Sequence, residues 1–371
     1  MWIIFIVLRL IVVFDMKKEK DKGNAGVKEI ARRAKVSIAT VDRVIHNRPG
    51  VSEKTKEKIN AIILELNYQP NVLAQRLALA SRGALRLAVL LPAISEETEF
   101  WQAPLDGVSQ AESEIRQYNI HVERYLFDQN DQQSFARQVK KIEQYKPDGL
   151  LFTPTFVDES IRLIRYCEKG NIPYVLINAD IPDFDRQSYI GPELFHSGYL
   201  AAQLVNYCTD AKQPVLLVNI AREITGNHAI LRKEDGFRAY FEEHGKGRHI
   251  LPFNTTQTDY AAVSQKLTKI FQKEKPGAIY VTNSRVHLVA KWMESKQVKD
   301  VILLGYDFLK DNVAWLEKGV IDFLICEKPQ EQGYKGMMSL FQKLVYNVEM
   351  ERTVLMPIDI ITKENHRFYR N

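Results

Sequence analysis

The sequence predicts a small all-α N-terminal helix-turn-helix headpiece, followed by a larger two-lobed α/β body with parallel sheets. The chain has 371 residues, of which 45% are apolar, so it is long enough for two or three domains with separate cores. Three amphipathic segments with helical spacing precede residue 67, and short apolar runs alternate with amphipathic stretches from residue 85 onward. We expect the boundary between headpiece and body near residue 83.

Basic residues are concentrated in the N-terminal part of the chain. Residues 17–82 contain 15 Lys and Arg against 7 Asp and Glu, whereas residues 83–371 contain 35 against 38. A compact basic segment on a near-neutral body is typical of a module that binds a polyanion. A solvated basic tail is the alternative that charge alone leaves open.

The opening stretch is apolar but fits neither a membrane span nor a secretory signal. Residues 1–14 are few for a span and include Arg9, and they lack the basic region and small-residue cleavage site of a signal peptide. We expect residues 1–16 to be a mis-assigned start or a disordered segment, with translation beginning at Met16. A membrane anchor is the alternative.

The cysteines and the absence of cofactor motifs favour a cytoplasmic protein that is not an enzyme. Cys167, Cys208 and Cys326 are an odd number without C-x-x-C spacing, so the sequence suggests neither a disulfide framework nor a zinc site. It also contains no G-x-G-x-x-G, Walker or G-x-S-x-G motif. We therefore predict no metal and no cofactor.

Residues 17–70 are expected to form a DNA-binding headpiece of three helices. The first helix is predicted over residues 27–35, the second begins after the capping residue Ser37, and the third follows Ser52 over residues 55–66. Two short helices joined by about three residues form a helix-turn-helix, whose second helix enters the major groove. The predicted apolar faces comprise Val27, Ile30, Ala31 and Ala34, then Val41, Val44 and Ile45, and finally Ile59, Ile62, Ile63 and Leu66.

Three motifs in this region closely resemble the headpiece of the LacI family of transcriptional regulators. They are VKEIARRAKVSIATVDRVIHN at 27–47, VSEKTKEKI at 51–59 and LNYQPN at 66–71. The resemblance implies that Ile38, Ala39 and Arg43 face DNA bases. It also implies that Ser37, Thr40 and Asn47 lie near phosphates.

The chemistry of these side chains sets what they can read. Arg43 can make a bidentate contact with guanine, whereas Ile38 and Ala39 offer only apolar surface suited to a thymine methyl group. We therefore expect weak or methyl-dependent discrimination at the last two positions. The alternative for Ile38 is that it packs inside the headpiece.

Two residues depart from the family pattern. Lys35 stands where many members have Gly at the turn between the first two helices, at a cost of roughly 1 kcal/mol if the turn is left-handed. Asp42 stands where Ser is commoner, which places a carboxylate near the phosphates. Asp42 can orient Arg43 or cap the helix locally, and the sequence does not distinguish the two.

Residues 71–82 are expected to form a hinge helix or linker. The segment NVLAQRLA at 71–78 resembles the family's hinge helix, which implies that Asn71 and Leu77 contact the operator. The resemblance places Leu77 as a wedge in the central minor-groove step, where an apolar side chain bends DNA at the cost of unstacking. An ordinary linker helix docked on the body is the alternative.

Residues 83–371 are expected to form the ligand-binding and dimerisation domain. Repeated β-α alternation predicts doubly wound parallel sheets, and about 280 residues suffice for two lobes. Strands are predicted over residues 87–91, 149–152, 174–177, 215–218, 278–281 and 301–304. Helices are predicted over residues 133–143, 160–169, 198–208, 233–243, 260–271 and 286–295.

This body resembles, more weakly but along its full length, the periplasmic-binding-protein-like core of the same family. Its ligands lie between the lobes, beyond the carboxyl ends of the strands. The resemblance and the strand ends together indicate nine effector-binding candidates, with Lys233 as the alternative to Arg232. The candidates are Phe100, Trp101, Thr153, Asn178, Asp180, Arg232, Asn283, Asp307 and Glu327.

The chemistry of the candidates favours a sugar. The ring of Phe100 or Trp101 can stack on a sugar face, although the pair can equally be buried under its loop. Glu327 stands where the family commonly has Gln, and a carboxylate in the cleft favours a polyhydroxyl or amine-bearing ligand over an anion.

The sequence thus predicts a homodimer that binds a palindromic double-stranded DNA operator under the control of a small ligand. An exported solute-binding receptor is one rival, but it leaves the basic helix-turn-helix unexplained. The other rival is an enzyme that uses Asp307 or His228 as a general base, but the sequence suggests no nucleophile–base pair for it.

Leu77→Ala tests the wedge. We expect the variant to lose tight operator binding because it no longer unstacks the central step, while its affinity for the effector is unchanged. Anisotropy of a labelled operator and calorimetry with the effector measure the two affinities. Unchanged operator affinity would contradict the proposed insertion of Leu77 between base pairs.

Overall fold

A computed structural model describes residues 26–371 except for 46–49, 67, 69–82, 96–98, 182–183, 223, 225–226 and 245–246. The chain divides into two units. The first is the described part of residues 26–83 with residues 342–349, and the second is residues 84–341 with 350–371. Asn47, Asn71 and Leu77, which the sequence assigns to DNA binding, lie outside the described residues.

The headpiece contains α1 (Val27–Ala34), α2 (Ile38–Ile45) and α3 (Glu53–Glu65). Two hydroxyl caps explain where the second and third helices begin. The Ser37 Oγ accepts a hydrogen bond from the Thr40 N–H at 3.1 Å, and the Ser52 Oγ accepts one from the Thr55 N–H at 3.4 Å. The predicted order of three helices, with hydroxyl caps on the second and the third, is confirmed.

A small apolar core joins these helices. Ile30 of α1, Val41 of α2 and Ile59 of α3 are fully buried against one another. Lys35 ends α1 with a φ of 57°, and the following Val36 N–H donates to the Ala31 carbonyl at 3.1 Å. This is a left-handed helix ending of the kind glycine usually supplies, here built with a lysine.

The body alternates strands and helices along its whole length. In chain order it contains β1 (Leu85–Pro92), α4 (Gln102–Ile115), β2 (Ile120–Phe127), α5 (Gln132–Tyr145), β3 (Gly149–Phe152), α6 (Val157–Lys169), β4 (Tyr174–Ile177), β5 (Tyr189–Gly191), α7 (Leu194–Cys208), β6 (Val215–Ile220), α8 (His228–His244), β7 (Ile250–Thr255), α9 (Tyr260–Phe271), β8 (Ala278–Val281), α10 (Val286–Ser295), β9 (Ile302–Tyr306), α11 (Lys310–Glu317), β10 (Phe323–Cys326), α12 (Pro329–Tyr346), β11 (Thr353–Leu355) and β12 (Asp359–Ile361). Short 3₁₀ turns occur at Arg116–Tyr118 and His366–Phe368.

The strands form two six-stranded sheets. The first has the order β11-β5-β4-β3-β1-β2 and is parallel throughout. The second has the order β12-β10-β9-β8-β6-β7 and is parallel except for β12. The predicted two-lobed α/β architecture with parallel sheets is confirmed.

All six predicted strands are present, but six others had not been predicted. Four of these, β2, β7, β11 and β12, lie at sheet edges, and in β2 and β7 exposed residues interrupt the apolar run. The strands β5, β10, β11 and β12 have only three or four residues each.

The chain passes between the two sheets three times. It leaves the first sheet through α7, returns from β10 through α12, and crosses once more between β11 and β12. The carboxyl ends of β10 and of its neighbour β9 therefore lie beside a crossing segment.

Glycines allow two helix pairs of the body to pack backbone to backbone. A Cβ on Gly236 of α8 would lie 1.8 Å from the Phe195 carbonyl oxygen, and one on Gly198 of α7 would lie 1.8 Å from that of Lys233. Likewise, a Cβ on Gly107 of α4 would meet the Gln330 carbonyl oxygen of α12 at 1.9 Å. Both crossing helices, α7 and α12, are thereby held close to a neighbour.

Within the residues that the structure describes, every helix is too short or too polar to cross a bilayer.

Gly236→Ala tests the close crossing of α7 and α8. Alanine favours a helix interior by up to about 1 kcal/mol, but here the added methyl must push two backbones apart, which costs about 1–3 kcal/mol. We expect a net loss in the free energy of unfolding, measured by urea denaturation of the full chain. Gly170→Ala, at the end of α6, is the control, because its Cβ would lie 3.2 Å from the flexible Ile172 side chain and at an ordinary contact distance of 3.5 Å from the Tyr166 carbonyl oxygen. Equal stability of Gly236→Ala and wild type would contradict the close crossing.

Candidate functional site

The second helix of the headpiece presents its predicted base-reading residues to solvent. Ile38 is 49% exposed, and Ala39 and Arg43 are also exposed, whereas Val41 and Val44 point into the core. Ile38 does not pack inside the headpiece, which removes that alternative. The exposed isoleucine thus gives α2 an apolar residue at its N-terminus, and Arg43 is exposed in its last turn.

Ser37 and Thr40 form a linked pair of hydroxyls at the start of α2. Their oxygens are 2.9 Å apart, and the Ser37 Oγ also caps the helix. The pair stabilises the helix N-terminus, where backbone N–H groups can donate hydrogen bonds to a phosphate oxygen.

Asp42 lies near Tyr68, on the chain that follows α3. Burial raises the pKa of the Tyr68 hydroxyl, and the negative charge of Asp42 raises it further. The sequence had left open whether Asp42 orients Arg43 or caps the helix. The structure instead shows that the charge of Asp42 acts on Tyr68.

Ion pairs fix α1 and α3 relative to each other. The Glu29 carboxylate binds Arg32 at 2.6 Å and Arg33 at 2.9 Å, and Arg33 also reaches Glu65 of α3 at 2.7 Å. Hydrogen bonds from Arg32 and then Arg33 lower the pKa of Glu29 to about 2. Part of the basic excess of the headpiece is therefore committed to internal pairs.

The body contains a cavity of about 420 Å³ at the carboxyl ends of strands from both sheets. Its size suits a small ligand. Seven of the nine predicted effector-binding residues line it: Phe100, Trp101, Thr153, Asn178, Asn283, Asp307 and Glu327. Side chains from both sheets thus meet around one space, as the strand-end rule predicts.

An aromatic pair forms one wall of the cavity. The rings of Phe100 and Trp101 meet edge to face with centroids 5.0 Å apart. Trp101 is only 6% exposed, and its indole N–H donates to the Gln129 Oε1 at 3.2 Å. Because Trp101 is fixed by packing and by this bond, the less buried Phe100 is the ring better placed to cover a ligand.

Polar groups of the second sheet are positioned by bonds to the backbone. The Asn283 Nδ2 donates to the Ile220 carbonyl at 2.8 Å, and its Oδ1 accepts from the Arg285 N–H at 3.1 Å. The Arg285 guanidinium donates to the same Ile220 carbonyl at 3.2 Å. These contacts tie the ends of β6 and β8 together and set Asn283 and Arg285 at the cavity wall.

A buried ion pair lies at the end of the cavity where α8 meets the beginning of α12. The Lys233 Nζ is 3.2 Å from the Glu327 Oε2, and both side chains are less than 10% exposed. The Ser197 hydroxyl donates to the Glu327 Oε1 at 2.6 Å, and the ammonium group lies 3.5 Å from the centre of the Tyr306 ring. Each charge therefore has several partners, which is what makes such burial tolerable.

Asp307 is the second carboxyl group of the cavity and has a different environment. Burial raises its pKa to about 7, against the effect of Lys233 and with a further contribution from Glu327. Its backbone is left-handed, with a φ of 73°, and its N–H donates to the Ile325 carbonyl at 3.0 Å. Asp307 is therefore expected to change charge near pH 7, and the Glu327 carboxylate is paired with the Lys233 ammonium.

Two predicted effector-binding residues do not line the cavity. The Arg232 guanidinium lies 3.7 Å from Asp235 and over the Phe195 ring, because consecutive residues of a helix point about 100° apart. Its neighbour Lys233 reaches the cavity instead. Asp180 pairs with Arg186 at 2.9 Å.

The contacts of Arg186 explain the position of Asp180. Arg186 also donates to the Thr353 Oγ1 of β11 at 3.0 Å. Asp180 thus holds the loop after β4 to the edge of the first sheet.

The cavity also includes side chains that the sequence analysis had not selected. They include Gln129, Asn130, Arg222, Asn227 and Arg285, and His228, which the enzyme alternative had named as a base, also lines the cavity. Arg285 lies two residues after the predicted Asn283, so extending the strand-end motif by two residues would have found it. Burial, and then the charge of Arg232, lower the pKa of His228, which favours a neutral imidazole.

Both parts of the chain match known protein families. Residues 26–71 match the bacterial regulatory proteins of the lacI family, and residues 87–346 match the periplasmic binding protein domain. The protein assigned as HTH-type transcriptional repressor ExuR of Bacillus subtilis (strain 168) is 34% identical over 158 residues, which is 42% of this chain and 44% of that protein. This alignment thus spans less than half of the relative.

Longer alignments cover most of the chain. The sucrose operon repressor of Escherichia coli is 26% identical over 294 residues, 77% of this chain and 84% of that protein. A Bacteroides fragilis protein assigned as a LacI transcriptional regulator has a solved structure that matches 77% of this chain and 100% of its own, with 27% identity and a TM-score of 0.71. By its headpiece and its body, the chain belongs to the lacI family of bacterial regulatory proteins, with a periplasmic binding protein domain following the helix-turn-helix.

Proposed function

We propose that the protein is a sequence-specific DNA-binding transcriptional regulator whose affinity for its operator is controlled by a sugar bound in the cavity of the body. The observation that carries the proposal is that one chain combines an exposed recognition helix with a ligand-sized cavity lined from two sheets. The cavity alone would suit a solute receptor equally well, and the helix-turn-helix is the feature that favours a regulator.

DNA recognition is assigned to α2 and to the residues after the headpiece. Arg43 reads a guanine, Ile38 and Ala39 contact thymine methyl groups, and Ser37, Thr40 and Asn47 bind phosphates. Asn71 and Leu77 of the hinge segment 71–82 complete the contact. The headpiece spans residues 17–70, and two copies in a homodimer bind a palindromic operator, since two-fold proteins read two-fold sites.

Effector binding is assigned to the cavity. Phe100 covers one face of the sugar ring, while Thr153, Asn178 and Asn283 exchange hydrogen bonds with its hydroxyls. Asp307 accepts a hydrogen bond from another hydroxyl. Lys233, rather than Arg232, is the cationic residue of the site, and its pair with Glu327 holds it there.

Control of DNA binding follows from a population shift. A sugar that binds one arrangement of the two lobes more tightly favours that arrangement, by no more than its difference in affinity for the two. The residues 83–371 thus set the fraction of the protein that is competent to bind DNA.

We further propose that the protein acts in the cytoplasm and catalyses no reaction. The sucrose operon repressor of Escherichia coli and the Bacteroides fragilis protein, each of which aligns with 77% of this chain, are assigned as transcriptional regulators, which supports this assignment.

The decisive experiment is a pull-down of genomic fragments with the full chain, with and without a panel of sugars. The panel contains D-glucose, D-galactose, D-arabinose, sucrose and myo-inositol, and each binding reaction is repeated at several salt concentrations. We expect salt-sensitive binding to a palindromic fragment that one sugar changes. Sugar binding without any DNA affinity would instead indicate a solute receptor, and turnover of a sugar would indicate an enzyme.

Arg43→Ala tests direct reading by α2. Loss of a bidentate guanine contact is expected to cost about 1–3 kcal/mol, which is a 5- to 150-fold loss of operator affinity, and to relax specificity at one base pair. Anisotropy with operators substituted at each position measures both effects. The control is Arg137→Ala, which removes an exposed arginine of the body. A uniform loss over all sequences would reassign Arg43 to a phosphate.

Asp307→Asn tests the role of the cavity carboxyl group. An ionised carboxylate accepts a stronger hydrogen bond from a hydroxyl, so we expect wild-type sugar affinity to rise about tenfold as the pH increases through 7. The asparagine variant should bind with little dependence on pH. Calorimetry between pH 6 and 8 measures this, and an equal pH dependence in both proteins would exclude Asp307.

The same group predicts how stability depends on pH without any sugar. Its pKa is about 7 in the folded chain and 3.8 ordinarily, so the folded state holds a proton that the unfolded state releases. The contribution to stability is complete below pH 3.8 and is lost as the pH rises to about 7. Urea denaturation across this range should show a smaller pH dependence in Asp307→Asn.

A further inference from the structure

Tyr369, which follows the last 3₁₀ turn, lies behind the two turns that carry the cavity carboxyl groups. It is 8% exposed and belongs to the apolar core of the second sheet. Its ring centre is 4.8 Å from that of Phe308, the residue after Asp307. The Lys328 Nζ, on the residue after Glu327, lies 4.2 Å from the centre of the same ring. One aromatic ring therefore contacts both turns.

Lys328 is held by three groups of the chain that follows β11. Its ammonium group pairs with the Asp359 Oδ2 at 3.2 Å, lies over the Tyr369 ring and donates to the Arg370 carbonyl. The Gln330 N–H, at the beginning of α12, donates to the Asn371 Oδ1 at 3.5 Å. The start of the crossing helix α12 is thus fastened to residues 359–371.

Both turns contain a non-glycine residue with left-handed backbone. The φ angle is 73° at Asp307 and 55° at Lys328. Such conformations cost about 1 kcal/mol or more for residues with a Cβ, so neighbouring contacts must hold them. Tyr369 contacts the residue next to the first turn and the side chain of the second.

The segment that carries Tyr369 is itself anchored. The His366 ring is 7% exposed, with its Nε2 3.0 Å from the Glu317 Oε1 of α11 and its Nδ1 2.6 Å from the Lys363 carbonyl oxygen. The Asn365 amide accepts from the Thr362 N–H at 2.7 Å and donates to the Ile360 carbonyl at 3.0 Å. These bonds fix the position of the segment that carries Tyr369.

We propose that Tyr369 is a positioning residue for the effector cavity: its ring braces the turns of Asp307 and Glu327 from behind and so sets where both carboxyl groups face the ligand. The proposal rests on the proposed function, because it takes the cavity as the effector site. Tyr369 itself does not line the cavity and touches no ligand.

The brace also shields Asp307 from water. The groups whose charges act with Asp307 are Lys233 and Glu327 on the cavity side and the Cys326 thiol and Tyr369 hydroxyl on the core side. Removing the ring lets water approach Asp307 from the core side. The carboxyl group should then ionise at lower pH.

The test compares Tyr369→Ala with Tyr369→Phe, which keeps the ring, and with Phe368→Ala. Phe368 is 82% exposed, so its substitution removes an equally large adjacent ring that braces nothing. Tyr369→Leu is included because it fills the core without a flat ring, in case the alanine variant does not fold. All variants are made in the full chain.

The first readout needs no ligand. Hydrogen exchange is measured for peptides covering residues 303–311 and 324–332, with the peptide covering β3 as an internal reference. We expect exchange to rise at least tenfold in both turns for Tyr369→Ala and Tyr369→Leu and to stay at the wild-type level for Tyr369→Phe and Phe368→Ala. The free energy of unfolding should stop changing with pH near pH 7 in wild type. This pH should be lower in Tyr369→Ala and Tyr369→Leu only.

The second readout is affinity for the sugar of the panel that binds wild type. Tyr369→Ala and Tyr369→Leu should weaken it at least tenfold, whereas Tyr369→Phe and Phe368→Ala should stay within twofold. Unchanged exchange in both turns, or unchanged affinity in the leucine variant, overturns the positioning role. If no sugar binds any protein, the effector assignment fails, and the exchange and pH readouts still decide whether Tyr369 braces the turns.

Discussion

The pair between the Lys233 ammonium and the Glu327 carboxylate is the interaction on which the cavity of the body depends. Removing two charges from water costs several kcal/mol each, and only close opposite charge with further hydrogen bonds offsets that cost. Here the Ser197 hydroxyl and the Tyr306 ring supply the additional contacts. The pair joins α8 to the beginning of α12, so it also links the second sheet to a segment that crosses to the first. Loss of either partner would leave a single buried charge at this junction.

The pair changes what a ligand meets in the cavity. Glu327 by itself would favour a polyhydroxyl or cationic ligand, but its charge is compensated by Lys233. Asp307, 20 residues earlier in the chain, is the carboxyl group with an adjustable charge, since burial raises its pKa to about 7. Two carboxyl groups at adjacent strand ends thus differ, because Glu327 is in direct contact with the buried Lys233 ammonium whereas at Asp307 the effect of burial outweighs that of Lys233. Hydroxyl groups of a sugar suit such a surface, because it offers donors and acceptors without a large net charge.

The headpiece achieves its fixed shape with very little apolar surface. Ile30, Val41 and Ile59 form the centre of its core, and the Arg33–Glu65 pair adds a link between its first and last helices. The left-handed Lys35 completes the turn that leads into α2. Because only Val41 and Val44 of α2 are buried in the core, the exposed residues Ile38, Ala39 and Arg43 do not contribute to it and are available for contact with DNA bases.

The sequence alone determined the helix order of the headpiece, its hydroxyl caps and the central strands of both sheets, because each depends on local hydrogen bonding or on continuous burial that leaves a periodic pattern. It could not identify the edge strands β2 and β7, where one side faces solvent and the apolar run is broken. Nor could it decide between Arg232 and Lys233, which are adjacent cations on one helix. That choice was made by tertiary structure: the close crossing at Gly198 and Gly236 sets the rotation of α8 about its axis, and with it the side chain that enters the cavity.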